Sequence, residues 1–166
     1  MTKRSSLRLD PKQWEVRVPL TSDACGIRTC IALASPRGGG GSPPATSLED
    51  IEEHIHLCKQ QPHDYSSLVI VDLARDDETR IAAYVACKRR NHLSLLFVQP
   101  DYQGKGFGRY LVETNLVDHS SVTVNSSPVA IAFYQRLGFV VQGDTFRKET
   151  PFGSFQLTSM KWSAPV

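Results

Sequence analysis

The sequence predicts one mixed α/β domain, of the α+β kind, built around a mostly antiparallel sheet. The chain has 166 residues, a length that corresponds to one domain and can bury a core without a disulfide or a metal. Strand-type and helix-type apolar patterns follow in the order strand, two helices, three strands, helix, strand, helix, two strands. Three consecutive strands joined by short polar turns must pair as antiparallel neighbours. We therefore expect six to seven strands and about four helices within residues 1–166, with residues 1–12 as a disordered tail.

The first strand and the first helix come from residues 14–35. The stretch WEVRVPL (14–20) alternates apolar and polar residues, which is typical of a half-buried strand. Ser22 and Asp23 are residue types that cap helix N-termini, and either could open a helix over residues 23–35.

A loop and a second helix follow. Residues 36–46 contain four successive glycines and three prolines, which exclude a helix interior or a central strand and predict a loop within the domain. Ser47 and Asp50 have the spacing of a capping box, with Asp in place of Glu. They predict a helix over residues 48–60.

Three strands form the middle of the chain. β-branched and apolar runs mark residues 67–74 and 80–87, and the polar turn between them predicts a hairpin. HLSLLFV (92–98) follows a second polar turn as the third strand, which Pro100 ends.

The second half contains two helices. Residues 101–119 begin as a glycine-rich turn and continue as a helix. The other helix lies within residues 126–139, where Ser127 is the expected N-cap, Pro128 takes the first helical position and Gly138 follows the end. Strands are predicted at 121–125, 139–146 and 154–162, the last two joined by a turn around Pro151 and Gly153.

Composition and charge restrict the class of protein. Lys and Arg number 19 and Asp and Glu 17, giving a net charge of +2, and this near-balance argues against a nucleic-acid partner. Hydrophobic residues make up 40% and charged residues 22%, which excludes a collagen, a coiled coil and a wholly disordered chain.

The start of the chain and the cysteines indicate a reducing compartment. The basic N-terminus lacks the apolar segment of a secretory signal, and no apolar run is long enough for a membrane span. We expect a cytoplasmic protein with no membrane partner, with a transit peptide in the first nine residues as the alternative. The four cysteines lack zinc-ligand spacing and are expected to be reduced.

Three alternate glycines follow the 92–98 strand and open the next helix. Gly104, Gly106 and Gly108 let the backbone turn sharply and approach a ligand closely. Backbone N–H groups at a helix start, with Lys105 and Arg109 beside them, suit a pyrophosphate. We infer a phosphate-bearing cofactor. A glycine turn without a ligand is the alternative, and neither the Rossmann nor the Walker A pattern is complete.

Two motifs in this region resemble those of the GCN5-related N-acetyltransferase (GNAT) superfamily. LLFVQPDYQGKGFGRYLV resembles the family's motif A and contains [RQ]-x-x-G-x-[GA]. The later helix resembles the second signature, A-x-x-F-Y-x-[RK]-x-G-F. The resemblance covers residues 79–162. The matching residues are Val98, Pro100, Tyr102, Gln103, Gly106, Gly108, Ala130, Phe133, Tyr134, Arg136, Gly138 and Phe139.

The resemblance implies a sheet splayed between its fourth and fifth strands, with acetyl-CoA in the gap and no metal. In the family, main-chain groups at positions matching Phe97 and Val98 pair with the pantetheine arm. Many members carry Asn where this chain has Ser127, and Asn125 lies two residues earlier, so either is a candidate cofactor contact. The turn residues that carry over as pyrophosphate ligands are Gln103, Gly104, Lys105, Gly106, Phe107, Gly108 and Arg109.

Tyr134 and His92 are the candidate catalytic residues. Tyr134 matches the tyrosine that family members use as general acid toward the CoA thiolate and that contacts the cofactor. A phenol with a pKa of about 10 keeps its proton at neutral pH; a core aromatic side chain is the alternative. The 92–98 strand holds no carboxylate, so His92 is its candidate general base. A surface histidine at a strand end is the alternative.

The resemblance implies an acetyl-CoA-dependent N-acetyltransferase that acts on a primary amine by direct attack in a ternary complex. A non-catalytic acyl-CoA-binding or regulatory domain on the same fold is the alternative, because the strand before motif A lacks a carboxylate. A homodimer is common in the family. The acceptor could be a small amine or a protein, and the sequence does not choose between them.

Overall fold

The computed structural model describes residues 7–35, 47–89, 91–150 and 153–166, which form one sheet with helices on both faces. The predicted loop at 36–46 and the first six residues of the predicted tail lie outside the described residues. The elements are β1 (Trp14–Arg17), α1 (Ala24–Ala34), α2 (Leu48–Gln60), β2 (Tyr65–Asp72), β3 (Ile81–Lys88), β4 (His92–Val98), α3 (Phe107–Leu116), β5 (Ser121–Ser126), α4 (Ile131–Arg136), β6 (Val140–Val141), β7 (Phe146–Thr150) and β8 (Gly153–Ser163).

The strands lie in the order β1-β2-β3-β4-β5-β8-β6, and β7 also pairs with β8. All neighbours are antiparallel except β4 and β5, which are parallel. The predicted mixed, mostly antiparallel sheet is confirmed. The strand expected over residues 139–146 is instead split into β6 and β7, because the turn-forming Gly143 and Asp144 interrupt it. Pro151 lies outside the described residues, and Thr150 and Gly153 on either side of it are paired.

Two helix ends follow local sequence signals. The Ser47 hydroxyl accepts the Asp50 N–H (3.0 Å) and the Asp50 carboxylate accepts the Ser47 N–H (3.1 Å), which confirms the capping box. Gly138 is left-handed, with φ of 91°. The Gly138 N–H donates to the Gln135 carbonyl (3.0 Å), and the Phe139 N–H donates to the Tyr134 carbonyl (3.1 Å). These two hydrogen bonds form a Schellman motif at the end of α4.

Apolar side chains are buried on both faces of the sheet. One face packs against α3 and α4, and we call it the α3/α4 face. The opposite face packs against α1 and α2, and we call it the α1/α2 face. Each fully buried aliphatic side chain stabilises the fold by about 1.5–3 kcal/mol. Side chains at most 1% exposed include Leu111, Val112, Val122 and Met160 on the α3/α4 face and Ile27, Ile51, Ile55 and Ile81 on the α1/α2 face.

A buried carboxylate connects the start of α1 to β1 and to the turn before β3. Asp23 accepts two hydrogen bonds from Arg17 (2.6 and 3.1 Å), one from Arg80 (2.9 Å) and one from the Leu20 N–H (2.7 Å). Burial alone would raise the pKa of Asp23, but these hydrogen bonds and the arginine charges together lower it. Asp23 takes the N-cap position of α1, as expected, but its carboxylate makes no hydrogen bond to α1 because the arginines and the Leu20 N–H hold it.

β4 carries one residue more than the segment of β3 that it pairs with. Leu95 pairs with Ala86 and Leu93 pairs with Cys87, which leaves Ser94 without a partner on β3. The Ser94 hydroxyl donates to the Ala86 carbonyl (3.0 Å). Leu93 packs on the α3/α4 face, whereas Leu95 packs on the other, so the extra residue reverses the alternation. A bulge of this kind bends the strand.

The sheet opens immediately after the bulge. β4 and β5 pair through His92 with Thr123 and through Leu93 with Val124, and their described register ends there. From Ser94 onward the two strands are not paired, so the predicted splay between the fourth and fifth strands is confirmed. We call this gap the β4–β5 opening; it lies toward the carboxyl end of β4.

Replacing Asp23 by Asn should destabilise the fold, because it leaves two arginines without their carboxylate. We expect a loss of about 3 kcal/mol in urea unfolding at pH 7. Since the pKa of folded Asp23 is lowered, its contribution is present above the unfolded pKa of about 3.9 and is lost as the pH falls through the folded value. The difference in the free energy of unfolding between wild type and Asp23→Asn should therefore shrink at acidic pH.

Asp76→Asn, at an exposed site, is the control. Equal stabilities of Asp23→Asn and wild type at pH 7 would contradict this assignment.

Candidate active site

The glycine turn between β4 and α3 adopts a conformation that only glycine adopts without strain. Gly104 and Gly106 have φ of 77° and 85°. The first bond of α3 runs from the Tyr110 N–H to the Gly106 carbonyl (2.9 Å). Three N–H groups lie before this bond, those of Phe107, Gly108 and Arg109. They have no acceptor within the helix. They form the positive end of the helix, where an anion binds favourably.

Side chains around the turn fix it to the sheet. The buried Tyr102 hydroxyl donates to Asp72 at 2.8 Å. Burial, together with this acceptor, raises the pKa of Tyr102 to about 12. The Gln103 side-chain amide donates to the Val98 carbonyl (3.0 Å). The Lys105 ammonium lies 5.9 Å from the centre of the Tyr102 ring.

Trp14, at the start of β1, and the residues before it support the turn from the other side. Trp14 contacts the Tyr102 ring (centroids 5.5 Å apart) and the Phe107 ring (4.8 Å). A Cβ placed on Gly106 would lie 3.3 Å from Leu7 Cδ2, so Leu7 packs directly on this glycine. We call residues 7–13 the N-terminal segment. Leu7 to Asp10 and Gln13 also line a pocket that reaches Lys105 and Phe107.

Arg109 and Gly108 lie on the first turn of α3. The Arg109 guanidinium donates to Glu113 at 2.7 Å, so its charge is shared with a carboxylate that the sequence analysis did not connect to it. The i,i+4 spacing of the two residues was the available signal. A Cβ on Gly108 would lie 3.4 Å from the Phe133 ring and 3.6 Å from Val98, so α3, α4 and β4 approach closely here.

Phe97 and Val98 border the β4–β5 opening. Val98 packs against the core of the α3/α4 face and Phe97 against that of the α1/α2 face. Their β4 backbone is paired with β3 on one side, and no pairing with β5 is described on the other.

Tyr134 is placed by a well-packed helix end. It is 5% exposed, and its ring contacts Phe133 and Phe139 with centroids 5.1 and 5.3 Å apart. Burial raises the pKa of Tyr134, with a smaller contribution from Cys87. No residue in the described part of the chain forms a hydrogen bond with its hydroxyl. The phenol therefore keeps its proton and is free to donate it to a ligand.

His92 lies at the closed end of the opening. Its Nδ1 shares a hydrogen bond with Thr123 Oγ1 (2.9 Å). It lies six positions before Val98, a distance of about 20 Å along the strand. Burial lowers the pKa of His92, and the nearby charges of Lys88, Arg89 and Lys148 lower it further.

The end of β5 places Asn125 and Ser127 beyond the last β4–β5 pair. Asn125 Oδ1 accepts the Ser159 hydroxyl (2.9 Å). Ser127 stands before the short helical turn that leads into α4, and its side chain makes no cap hydrogen bond. The structure thus places the glycine turn and the ends of β4 and β5 around one opening, with His92 at its closed end. Tyr134 lies beside Phe133, whose ring approaches Gly108 on the turn.

The donor set of this site fits acetyl-CoA. Backbone N–H groups at the start of α3 suit a pyrophosphate, and no atom beyond its chain neighbours lies within 4 Å of a Cβ built on Gly104, which leaves that side of the turn open. The unpaired edges of β4 and β5 offer backbone groups to an arm that carries amides. A glycine turn at a helix start beside a parted parallel strand pair, with a buried phenol nearby, defines an acyl-CoA-binding acyltransferase fold.

Comparison with known families assigns the chain. A family model described as an acetyltransferase (GNAT) domain matches residues 51–163. The protein therefore belongs to the GNAT acetyltransferase family, as its two sequence motifs indicate.

Known proteins and structures agree with this assignment. The chain is 38% identical over 55 residues to peptidyl-lysine N-acetyltransferase YjaB of Salmonella typhimurium, a match that covers 31% of this chain and 38% of that protein. The fold is similar to that of PaiA N-acetyltransferase from Thermoplasma acidophilum in complex with coenzyme A, with TM-score 0.68, 15% identity, and 91% and 99% of the two chains covered. It is also similar to spermidine N-acetyltransferase from Vibrio cholerae in complex with CoA and spermine, with TM-score 0.63, 18% identity, and 92% and 96% covered.

The described ranges contain neither a metal-binding cluster nor a membrane-spanning helix. Within residues 7–35, 47–89, 91–150 and 153–166, no three His, Cys, Asp or Glu side chains are grouped so that they could hold a metal. None of the helices in the same ranges is long and apolar enough to cross a membrane.

Gly106→Val should abolish acetyl-CoA binding, because a β-branched residue is strained at a φ of 85° and its side chain would displace Leu7 rather than enter open space. Gly106→Ala should weaken the turn by about 1–2 kcal/mol. Isothermal titration with acetyl-CoA measures both, and circular dichroism reports whether the variants fold. Gly143→Ala, at a glycine with an ordinary φ and open surroundings, is the matched control. Binding of acetyl-CoA by folded Gly106→Val at the wild-type affinity would move the site elsewhere.

Proposed function

We propose that this protein transfers the acetyl group of acetyl-CoA to a primary amine by direct attack within a ternary complex. The observation that carries the proposal is the β4–β5 opening beside the glycine turn, because it leaves strand edges to which the arm of acetyl-CoA can bind. The relatives and the family model support an acetyltransferase. The matched segment spans less than two fifths of the YjaB proteins, so the whole-protein activity is part of this proposal.

The glycine turn would bind the cosubstrate mainly through its backbone. The N–H groups at the start of α3 would hold the pyrophosphate, with Lys105 adding positive charge and Gln103 holding the turn against β4. The Arg109 guanidinium is paired with the Glu113 carboxylate, which reduces the positive charge that Arg109 offers to the phosphates. The backbone near Phe97 and Val98 would pair with the amides of the arm. Acetyl-CoA itself supplies an acyl group that is activated as a thioester.

Tyr134 would act as the general acid. A raised pKa keeps the phenol protonated at neutral pH, and a departing thiolate is stabilised by a proton from such a donor. Because no hydrogen bond from the described residues holds the hydroxyl, donation to sulfur breaks no existing interaction. Packing against Phe133 and Phe139 keeps the ring in place.

His92 would accept the proton of the attacking amine. Its lowered pKa leaves the imidazole neutral at pH 7, as a base must be. The hydrogen bond with Thr123 fixes the orientation of the ring. His92 lies one residue before the last β4–β5 pair, so it borders the closed end of the opening.

Replacing Tyr134 by Phe should lower kcat roughly 10- to 100-fold while the KM for acetyl-CoA changes less than twofold, because only the proton donor is lost. Release of CoA, followed with a thiol reagent over a panel of amines, gives both constants. Phe133→Leu, which alters the neighbouring ring, controls for packing. Unchanged kcat in Tyr134→Phe would remove it as the general acid. Tight acetyl-CoA binding by wild type with no CoA release for any amine would favour a non-catalytic binding domain.

The pH profile should report His92. Since the base form exists above its pKa, kcat/KM should rise with pH through a midpoint below the ordinary value of about 6.5. His92→Gln should lower kcat/KM and remove this acidic limb. The separate rise in kcat/KM that follows deprotonation of the acceptor amine, near pH 10 for a lysine, should remain. An acidic limb that persists unchanged in His92→Gln would show that another group accepts the proton.

A further inference from the structure

A row of two lysines, a histidine and a threonine crosses the sheet at the closed end of the β4–β5 opening. Lys88 pairs with His92, His92 with Thr123, and Thr123 with Lys161, so these four residues share one line across β3, β4, β5 and β8. Adjacent strands are about 4.8 Å apart, so the line is about 15 Å long. We call it the cationic row.

The cationic row lies on the face of the sheet opposite α3 and α4. The residues beside it in sequence, Cys87, Leu93, Val124 and Met160, belong to the core of the α3/α4 face. Since successive strand side chains alternate between faces, the row lies on the α1/α2 face. There α1 packs on β3 and β4, and α2 packs on β2. The part of this face formed by β5 and β8 lies beside the helices and is polar, with Asn125 and Lys161 exposed.

Further positive charge surrounds the row. Arg89 follows Lys88, and both Arg89 and Lys148 are close enough to His92 to affect its charge state. Lys88, Arg89, Lys148 and Lys161 are all exposed.

These four cations differ from the arginines that carboxylates hold in place. Arg17 and Arg80 are paired with Asp23, as the fold requires. Arg109 and Arg147 are also paired with carboxylates. In the described part of the chain, by contrast, none of the four cations around the row forms an ion pair. Four cations without an ion-pair partner thus lie around this row, although the chain has a net charge of only +2.

We propose that the cationic row selects as acceptor a lysine side chain flanked by Asp or Glu residues in a peptide or protein, and that it disfavours polyamines. This inference rests on the proposed acetyl transfer. The row lies next to the closed end of the opening, about 7 Å of strand from Asn125, so the residues flanking an acceptor lysine would lie over it. Acidic flanks gain from the unpaired cations, whereas a second or third ammonium of a polyamine is repelled.

The experiment compares three acceptors by CoA release. They are a peptide with one lysine between Asp and Glu residues, the same peptide with Asn and Gln in their place, and spermidine. At low ionic strength we expect kcat/KM for the acidic peptide to exceed that of the neutral peptide about tenfold. The difference should largely disappear in about 0.5 M NaCl, because salt screens charges at this range. Spermidine should be the poorest acceptor.

Charge reversal tests the row itself. The double variant Lys148→Glu/Lys161→Glu should lose the preference for the acidic peptide and gain activity toward spermidine. Arg136→Glu, an equal charge change on the exposed side of α4, is the matched control and should keep the wild-type preference.

The outcomes separate the two levels of the proposal. CoA release with all three acceptors but no preference for acidic flanks, or an unchanged preference in the double variant, would overturn the role of the cationic row and leave acetyl transfer intact. Preference for spermidine would overturn the assigned acceptor class. Salt-sensitive binding of single-stranded RNA that competes with the peptide and is lost in the double variant would assign the row to nucleic acid instead. No CoA release with any acceptor would overturn both levels.

Discussion

The extra residue in β4 is the constraint on which the rest of the site depends. With Ser94 unpaired on β3, β4 bends away from β5 after the Leu93–Val124 pair. Where the strands part, their facing edges lack a partner strand, and unpaired backbone groups there are costly unless a ligand or water satisfies them. Such an edge is at once a structural cost and a binding surface for a ligand that carries amides.

The parted strands do not close because packing holds each of them separately. β4 is fixed through β3 to both faces of the core, and β5 is fixed to β8 over six residue pairs. On the α3/α4 face, Gly108 allows α3 to approach Phe133 and Val98 closely. The opening is thus bounded by rigid elements, which places the turn, the phenol of Tyr134 and the imidazole of His92 at defined positions.

Local signals predicted the elements whose causes are local. The Ser47–Asp50 capping box and the left-handed Gly138 depend on residues within a few positions, and both are confirmed. The role of Asp23 could not be predicted in this way, because Arg80 is 57 positions away. Nor could the Ser94 bulge, since it exists only relative to β3. The cationic row required the register of four strands, so neither the near-neutral composition nor any single motif indicated it. The roles of Tyr134 and His92 stay predictions that the geometry supports.

The contact of Leu7 with Gly106 couples the start of the chain to the site. The N-terminal segment packs on the glycine turn through a space that a side chain at position 106 would fill. By thermodynamic reciprocity, any ligand that stabilises the turn stabilises this packing by the same free energy, and loss of the packing weakens ligand binding equally. Residues 7–13 are therefore coupled energetically to the glycine turn, although they lie more than 90 positions before Gly106 in the sequence.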